Sequence, residues 1–229
     1  MQQFSVVISG FDRYYGIDVN PSFEVPRALA EQGLGISTDI DDPLSDVSVT
    51  IHTVGLPISF TDSWPELKRM LDAVRPDIVI ATGLKRSARG IALERCATNL
   101  MDAANPEDAA NPEDAAPRRT PIDPEGPAAY WTRLPLRSIL RDFTVEDIPA
   151  TLSSDAGTYV CNSLFYRLMH WNASQERVLS GFVSFPKVVE SAHSPQGLPL
   201  DRQIAACRAV VREAIRYHLR PSSEEILLD

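Results

Sequence analysis

Histidine and cysteine are both scarce in this chain, four of the former and three of the latter among 229 residues. The cysteines, Cys96, Cys161 and Cys207, are odd in number and lie 65 and 46 residues apart. Such spacing builds neither a disulfide framework nor a clustered metal site, so reduced thiols are expected. Metal-ligand spacing, a phosphate-cradling glycine loop and a dinucleotide fingerprint are all missing, and neither a metal nor a cofactor is expected. Positive charge is also short. Twenty-two lysines and arginines against 31 acids give a formal net charge of −9, which argues against a nucleic-acid or anionic-membrane partner. No stretch approaches the roughly 18 consecutive apolar residues of a membrane span. Residues Met1 to Ser9 enter a strand-like segment at once, with no basic segment or cleavage signal, so a soluble cytoplasmic protein is the expectation.

What is present reads as an ordinary globular domain: 44% hydrophobic and 23% charged residues, within the usual range. The length suits one domain over residues 1–229 with ample core. Strand-like runs at Phe4–Ser9, Val47–Thr53, Asp77–Ala81, Ala150–Ser153 and Gly181–Phe185 alternate with helical stripes. The helices are expected from Asn20-Pro21-Ser22 to about Gln32, from a capping box at Ser63-Trp64-Pro65-Glu66, and over Leu134–Phe143, Cys161–His170 and Asp201–Leu219. Alternation of this kind predicts an α/β fold, a single three-layer α/β/α domain with a twisted, mostly parallel sheet. One segment departs from it. Residues 102–116 repeat Asp-Ala-Ala-Asn-Pro-Glu twice and restart; proline in every copy predicts a surface loop over 102–119.

The stretch most suggestive of chemistry is Asp155-Ala156-Gly157-Thr158-Tyr159-Val160-Cys161-Asn162 before the apolar run Ser163–Met169. It puts a thiol where a turn feeds a helix, and the unpaired amides and dipole there favour the thiolate, the nucleophilic form. A lone cysteine is also commonly a small buried hydrophobe.

Four stretches together resemble the pyrrolidone carboxyl peptidase (pyroglutamyl peptidase I) family of cysteine peptidases, in order and similar spacing over residues 4 to about 186. They are Ser9–Asp12 with Val19–Phe23; Gly83 through Leu93–Asn99; Gly126–Trp131 with Leu134-Pro135; and Ala156–Asn162. The resemblance implies an α/β/α fold, commonly dimeric or tetrameric, and removal of an N-terminal pyroglutamyl residue. It assigns Cys161 as nucleophile and Glu94 as the acidic triad member. Arg95 is implied as a guard of the site's charge, while Phe11, Tyr14, Tyr15 and Val160 are implied around the ring pocket. The expected partner is therefore a small molecule or peptide with a pyroglutamyl-like or activated acyl group, and a homo-oligomer is expected by family analogy.

One departure bears directly on chemistry. The family strand places histidine before an aliphatic residue and proline, whereas this chain reads Gly181-Phe182-Val183-Ser184-Phe185-Pro186. Ser184 thus occupies the general base's position, and a hydroxyl cannot take a proton near neutral pH. His170 lies nine residues beyond Cys161, on the opposite side of the expected helix and about 13.5 Å along it. His193 could fold back from a Ser- and Pro-rich loop, whereas His52 and His218 look structural. Tyr15 replaces a glycine, Leu84-Lys85-Arg86 brings two cations towards the mouth, and Asp155 would oppose thiol activation if close. Three outcomes are open: cysteine-dependent acyl chemistry with an incomplete triad, a non-catalytic binding or assembly scaffold, or a weak peptidase using His193.

Overall fold

The computed structural model describes residues 1–12, 18–35, 42–102, 119–190 and 196–222. Tyr14, Tyr15, His193 and nearly all of the 102–116 repeat lie outside these. The first half winds twice. Strand β1 (Gln2–Phe11) leads through helix α1 (Pro21–Gln32) to β2 (Val47–Leu56), and then through α2 (Ser63–Val74) to β3 (Ile78–Leu84). Both β2 and β3 pair with β1 in parallel, on opposite sides. The second half contributes β4 (Ile91–Glu94), β5 (Cys96–Thr98), β6 (Ala129–Trp131), α3 (Leu136–Val145) and β7 (Ala150–Ser153). It continues through α4 (Val160–Ala173), β8 (Leu179–Phe185), β9 (Lys187–Val188), β10 (Gly197–Leu198) and α5 (Leu200–Leu219).

The main sheet has the order β2-β1-β3-β8-β4-β7. β4 and β7 are parallel to each other, and β4 runs antiparallel to β8. The expected mostly parallel sheet is therefore present, with a reversed pair at one edge.

Period-two alternation distributes the core between two faces. Phe4, Val6, Ile8, Ile78, Ile80, Val183 and Phe185 pack with Val25 and Leu29 of α1, Ile139 and Phe143 of α3, and Val210, Val211 and Ile215 of α5. Val7, Val79, Ala81 and Phe182 point the other way, into Leu67 and Leu71 of α2 and Leu164, Phe165 and Leu168 of α4. This makes three layers, and the residues that alternate onto the α4 side at the strand ends are the ones that build the site.

Two local expectations change. The capping box at Ser63 does not form: α2 begins at Ser63 behind Asp62, with no side-chain cap. Ser59 does that work upstream, its Oγ accepting from the Thr61 and Asp62 amides and donating to the Asp62 carboxylate at 3.0 Å. Glu94, expected without an assigned element, sits at the end of strand β4 and is fully buried.

Candidate active site

The carboxyl end of β1 leads towards α1, and that of its neighbour β3 leads into the loop before β4; open α/β sheets bind ligands in the crevice at such strand ends. The β1 side is held by Asn20. Its Nδ2 donates to the Phe11 and Asp12 carbonyls at 2.9 and 3.1 Å, while its Oδ1 accepts from the Ser22 amide and starts α1. Thr82 Oγ1 bonds the Ser9 and Ser22 carbonyls, both at 2.9 Å, tying β3 to the same corner. Across the crevice, Gly157 at φ 78° turns the chain, a conformation glycine tolerates without strain. Helix α4 then starts behind Tyr159 with no side-chain cap, which leaves first-turn amides facing the crevice end. Cys161 is the second residue of that helix.

Asn162, the next residue, locks the helix start in place. Buried to 1% exposure, it accepts from the Thr98 amide at 3.0 Å and donates to the Thr98 and Leu100 carbonyls, both at 2.9 Å. Farther along, Phe165 packs on Phe182 and the Tyr166 hydroxyl donates to the Pro127 carbonyl at 2.8 Å. The thiol therefore rests on a rigid element. It also needs bare backbone beneath it, because a Cβ on Gly83 would lie 2.9 Å from Cys161 Sγ, closer than such contacts allow.

Gly83 pairs in register with Ser184 on β8, and Ser184 lies beside β4, whose Ala92 it opposes. Ser184 Oγ donates to Glu94 Oε1 at 2.7 Å. The same oxygen accepts from Lys85 Nζ at 3.3 Å. Glu94 Oε2 is buried with no hydrogen-bond partner among the described residues. Lys85 also donates to Ser153 Oγ at 3.0 Å and to the Asp155 carbonyl at 2.6 Å. Those three acceptors match the three hydrogens of an ammonium group.

Cys161 is half-buried, and burial pushes its thiol up to about 12, with the Glu94 carboxylate adding to the rise. Lys85 pulls the other way, as does the residue's own backbone amide.

Phe11, Val160 and Cys161 line one cavity of about 200 Å³ with Ile58, Leu84 and Tyr159, and the polar residues Asn20, Ser22 and Arg86 also face it. Tyr159 is held edge-on against Phe60 at 5.0 Å. Five residues expected from the sequence are thus brought together in two groups: Cys161 with Phe11 and Val160 in the cavity, and Ser184 against Glu94.

The expectation for Arg95 is corrected. Its Nε donates to Ser154 Oγ at 2.8 Å, and its charge bears on the neighbouring Cys96 thiol. The cation acting on Cys161 is Lys85. The acid opposing Cys161 is likewise Glu94, while the Asp155 carboxylate accepts from the Gly157 amide at 2.9 Å. His170 bonds the Tyr130 hydroxyl at 2.9 Å on the far side of α4, and His218 packs edge-on against Phe4. Among the described residues, no group of three or more histidines, cysteines or acids is placed to hold a metal ion, and no helix is long and apolar enough to cross a membrane.

Fold and crevice together define a three-layer α/β/α protein with a cysteine at a helix start facing a buried glutamate across the strand ends. A family model described as pyroglutamyl peptidase matches residues 4–217. The chain is 35% identical over 210 residues to a pyrrolidone-carboxylate peptidase of Chromobacterium violaceum, covering 90% of each chain. Its fold superposes on pyroglutamyl peptidase I of Bacillus amyloliquefaciens with a TM-score of 0.78 at 32% identity, covering 94% of this chain and 98% of that one. Pyrrolidone carboxyl peptidase of Thermococcus litoralis gives 0.80 at 27% identity, covering 99% of both. The chain belongs to the pyroglutamyl peptidase family, as its four motif stretches imply.

Proposed function

We propose that the crevice binds an N-terminal pyroglutamyl-type group and that Cys161 carries out acyl chemistry on it, with activated acyl groups preferred over peptide amides. The observation carrying this reading is the Ser184–Glu94 hydrogen bond of 2.7 Å. It puts a hydroxyl, which cannot take up or return a proton near neutral pH, on the carboxylate that would orient a proton carrier. In the reaction, hydroxide removes the Cys161 proton and the thiolate attacks the acyl carbon. The S–C bond forms as the carbonyl π pair moves onto oxygen, collapse of this adduct expels the leaving group, and water then hydrolyses the thioester to the free acid and the Cys161 thiol. First-turn amides of α4 are suited to stabilise the tetrahedral oxyanion. A departing thiolate or alkoxide of low basicity needs no proton, whereas an amine does. The missing acid–base help therefore slows amides by about 10²–10⁴-fold and activated acyl groups less.

Two observations favour other readings. The relatives named above are peptidases, which favours an ordinary exopeptidase; that chemistry needs an imidazole, so His193→Ala would abolish it. The weakly acidic Cys161 thiol favours a binding protein without turnover. Assaying purified protein with matched pyroglutamyl amide and pyroglutamyl thioester probes separates all three. Thioester turnover that exceeds amide turnover and is lost in Cys161→Ala supports the proposal. A faster amide, or no turnover of either probe above the Cys161→Ala control, rejects it.

A further inference from the structure

We propose that Lys85 is a positioning residue that supplies the fixed positive charge for the Cys161 thiolate and takes no part in moving its proton. The inference rests on the reading of Cys161 as nucleophile, and it concerns what sets that thiol's reactivity.

The geometry is that of a built cation. Lys85 follows β3 directly after Gly83 and Leu84, so the strand whose bare glycine receives the thiol also delivers the ammonium group. Its side chain is 28% exposed, and the group is fastened at three points: Glu94 on β4, Ser153 at the end of β7, and the Asp155 carbonyl in the turn before α4. Three separate segments thus spend hydrogen-bond acceptors on one lysine, which surface lysines seldom receive. With each N–H directed at an oxygen, the nitrogen has no lone pair to offer as a base. What remains to it is its charge.

The charged groups around Cys161 come from several elements. Glu94 raises the thiol and Lys85 lowers it. Arg86, from the loop after β3, faces the same cavity. The Asp155 carboxylate, in the turn before α4, is engaged by the Gly157 amide, and β8 contributes the uncharged Ser184. Lys85 and Glu94 therefore act on the thiol with opposite signs while bonded to each other. A cation fixed in this way stabilises a thiolate once hydroxide has taken the proton, and the rate of Cys161 chemistry then climbs with pH instead of levelling near an imidazole's range.

The test reads alkylation of Cys161 by iodoacetamide at pH 9, following the Cys161 peptide by mass spectrometry so that Cys96 and Cys207 do not contribute. Glu94→Gln removes the opposing charge and is expected to speed alkylation. In that background Lys85→Met is expected to slow it about threefold or more, and Lys85→Arg to restore most of the loss. Each unit of thiol pKa is worth tenfold in thiolate. Equal or faster alkylation of a folded Glu94→Gln/Lys85→Met protein overturns the inference, since a merely structural lysine would loosen the site and expose the sulfur. Should the methionine variant lose its fold, a Glu94→Gln/Arg86→Ala protein, which keeps Lys85 but neither the opposing carboxylate nor the second cation of the cavity, carries the test. A fixed cation makes anionic iodoacetate react with Cys161 faster, relative to neutral iodoacetamide, than with free cysteine, and a lower ratio overturns the assignment. Because alkylation needs no turnover, failure here is separate from failure of the proposed function. Probe turnover lost in Cys161→Ala but indifferent to Lys85 sinks only the role of Lys85, whereas the expected alkylation pattern without probe turnover sinks only the acyl chemistry.

Discussion

Ser184→His should convert this crevice into a faster amidase. Ser184 lies on β8, in register with the glycine under the Cys161 sulfur and bonded to Glu94 at 2.7 Å. An imidazole at that position reaches towards both groups. The Glu94 carboxylate is already in place to orient it, and its Oε2 has no partner among the described residues to give up. Burial and the Glu94 carboxylate push the Cys161 thiol up to about 12, whereas a cysteine ion-paired with imidazolium is largely ionised at neutral pH. Positioned acid–base help adds about 10²–10⁴-fold, so a gain of about 10²-fold or more on a pyroglutamyl amide is expected. The assay is release of a fluorescent amine across pH, with circular dichroism and melting as controls for folding. Two further signatures are required. The rate should level off with rising pH where the parent keeps climbing, and Glu94→Gln in the Ser184→His background should remove much of the gain because the ring loses its orienting partner. A folded variant that shows no gain would falsify the placement of Ser184 at the proton carrier's position.

The parts of this site legible in the sequence are those fixed by local pattern. The turn at Gly157 and the apolar run behind it placed Cys161 at a helix start, whereas the acidic role of Glu94 was implied only by the family resemblance of the stretch around it. What the pattern could not carry was pairing across distance. β4 spans four residues, Ile91–Glu94, too few for a period to emerge, and its antiparallel docking on β8 is decided by tertiary contacts. Adjacency misled at Arg95. Consecutive residues of an extended chain point to opposite sides, so the neighbour of a buried glutamate turns to Ser154 and Cys96 instead of the thiol. Lys85 was visible as a cation near the mouth, but its anchors at Ser153 and Asp155 lie 68 and 70 residues away. Asn162 was visible only as part of a motif, because the carbonyls it holds belong to the segment around β5, more than 60 residues earlier.

Three further outcomes test the scaffold around the site. Gly83→Ala brings a methyl to within 2.9 Å of both Cys161 Sγ and Phe182 Cζ; a loss of about 1–3 kcal/mol in denaturant unfolding is expected, and an unchanged midpoint would show that the thiol does not rest there. Asn162→Ala strips partners from the Thr98 amide and from the Thr98 and Leu100 carbonyls. It should cost about 2 kcal/mol or more, with Asn162→Asp falling in between because it keeps only the acceptor; equal losses would refute the clamp. The last concerns His218, half-buried with its ring 5.1 Å from Phe4 and edge-on. Burial lowers its pKa below the ordinary 6.5, with Arg177 acting the same way and Asp77 opposing. As pH falls through 6.5 the unfolded chain takes up a proton before the folded one does. The stability that neutral His218 contributes is therefore full above that value and is lost as pH drops through the folded-state pKa. Melting curves from about pH 8 to pH 5 should show a steeper acid-side decline in the parent than in His218→Phe, which has no proton to bind; parallel declines would mean that the ring titrates alike in both states.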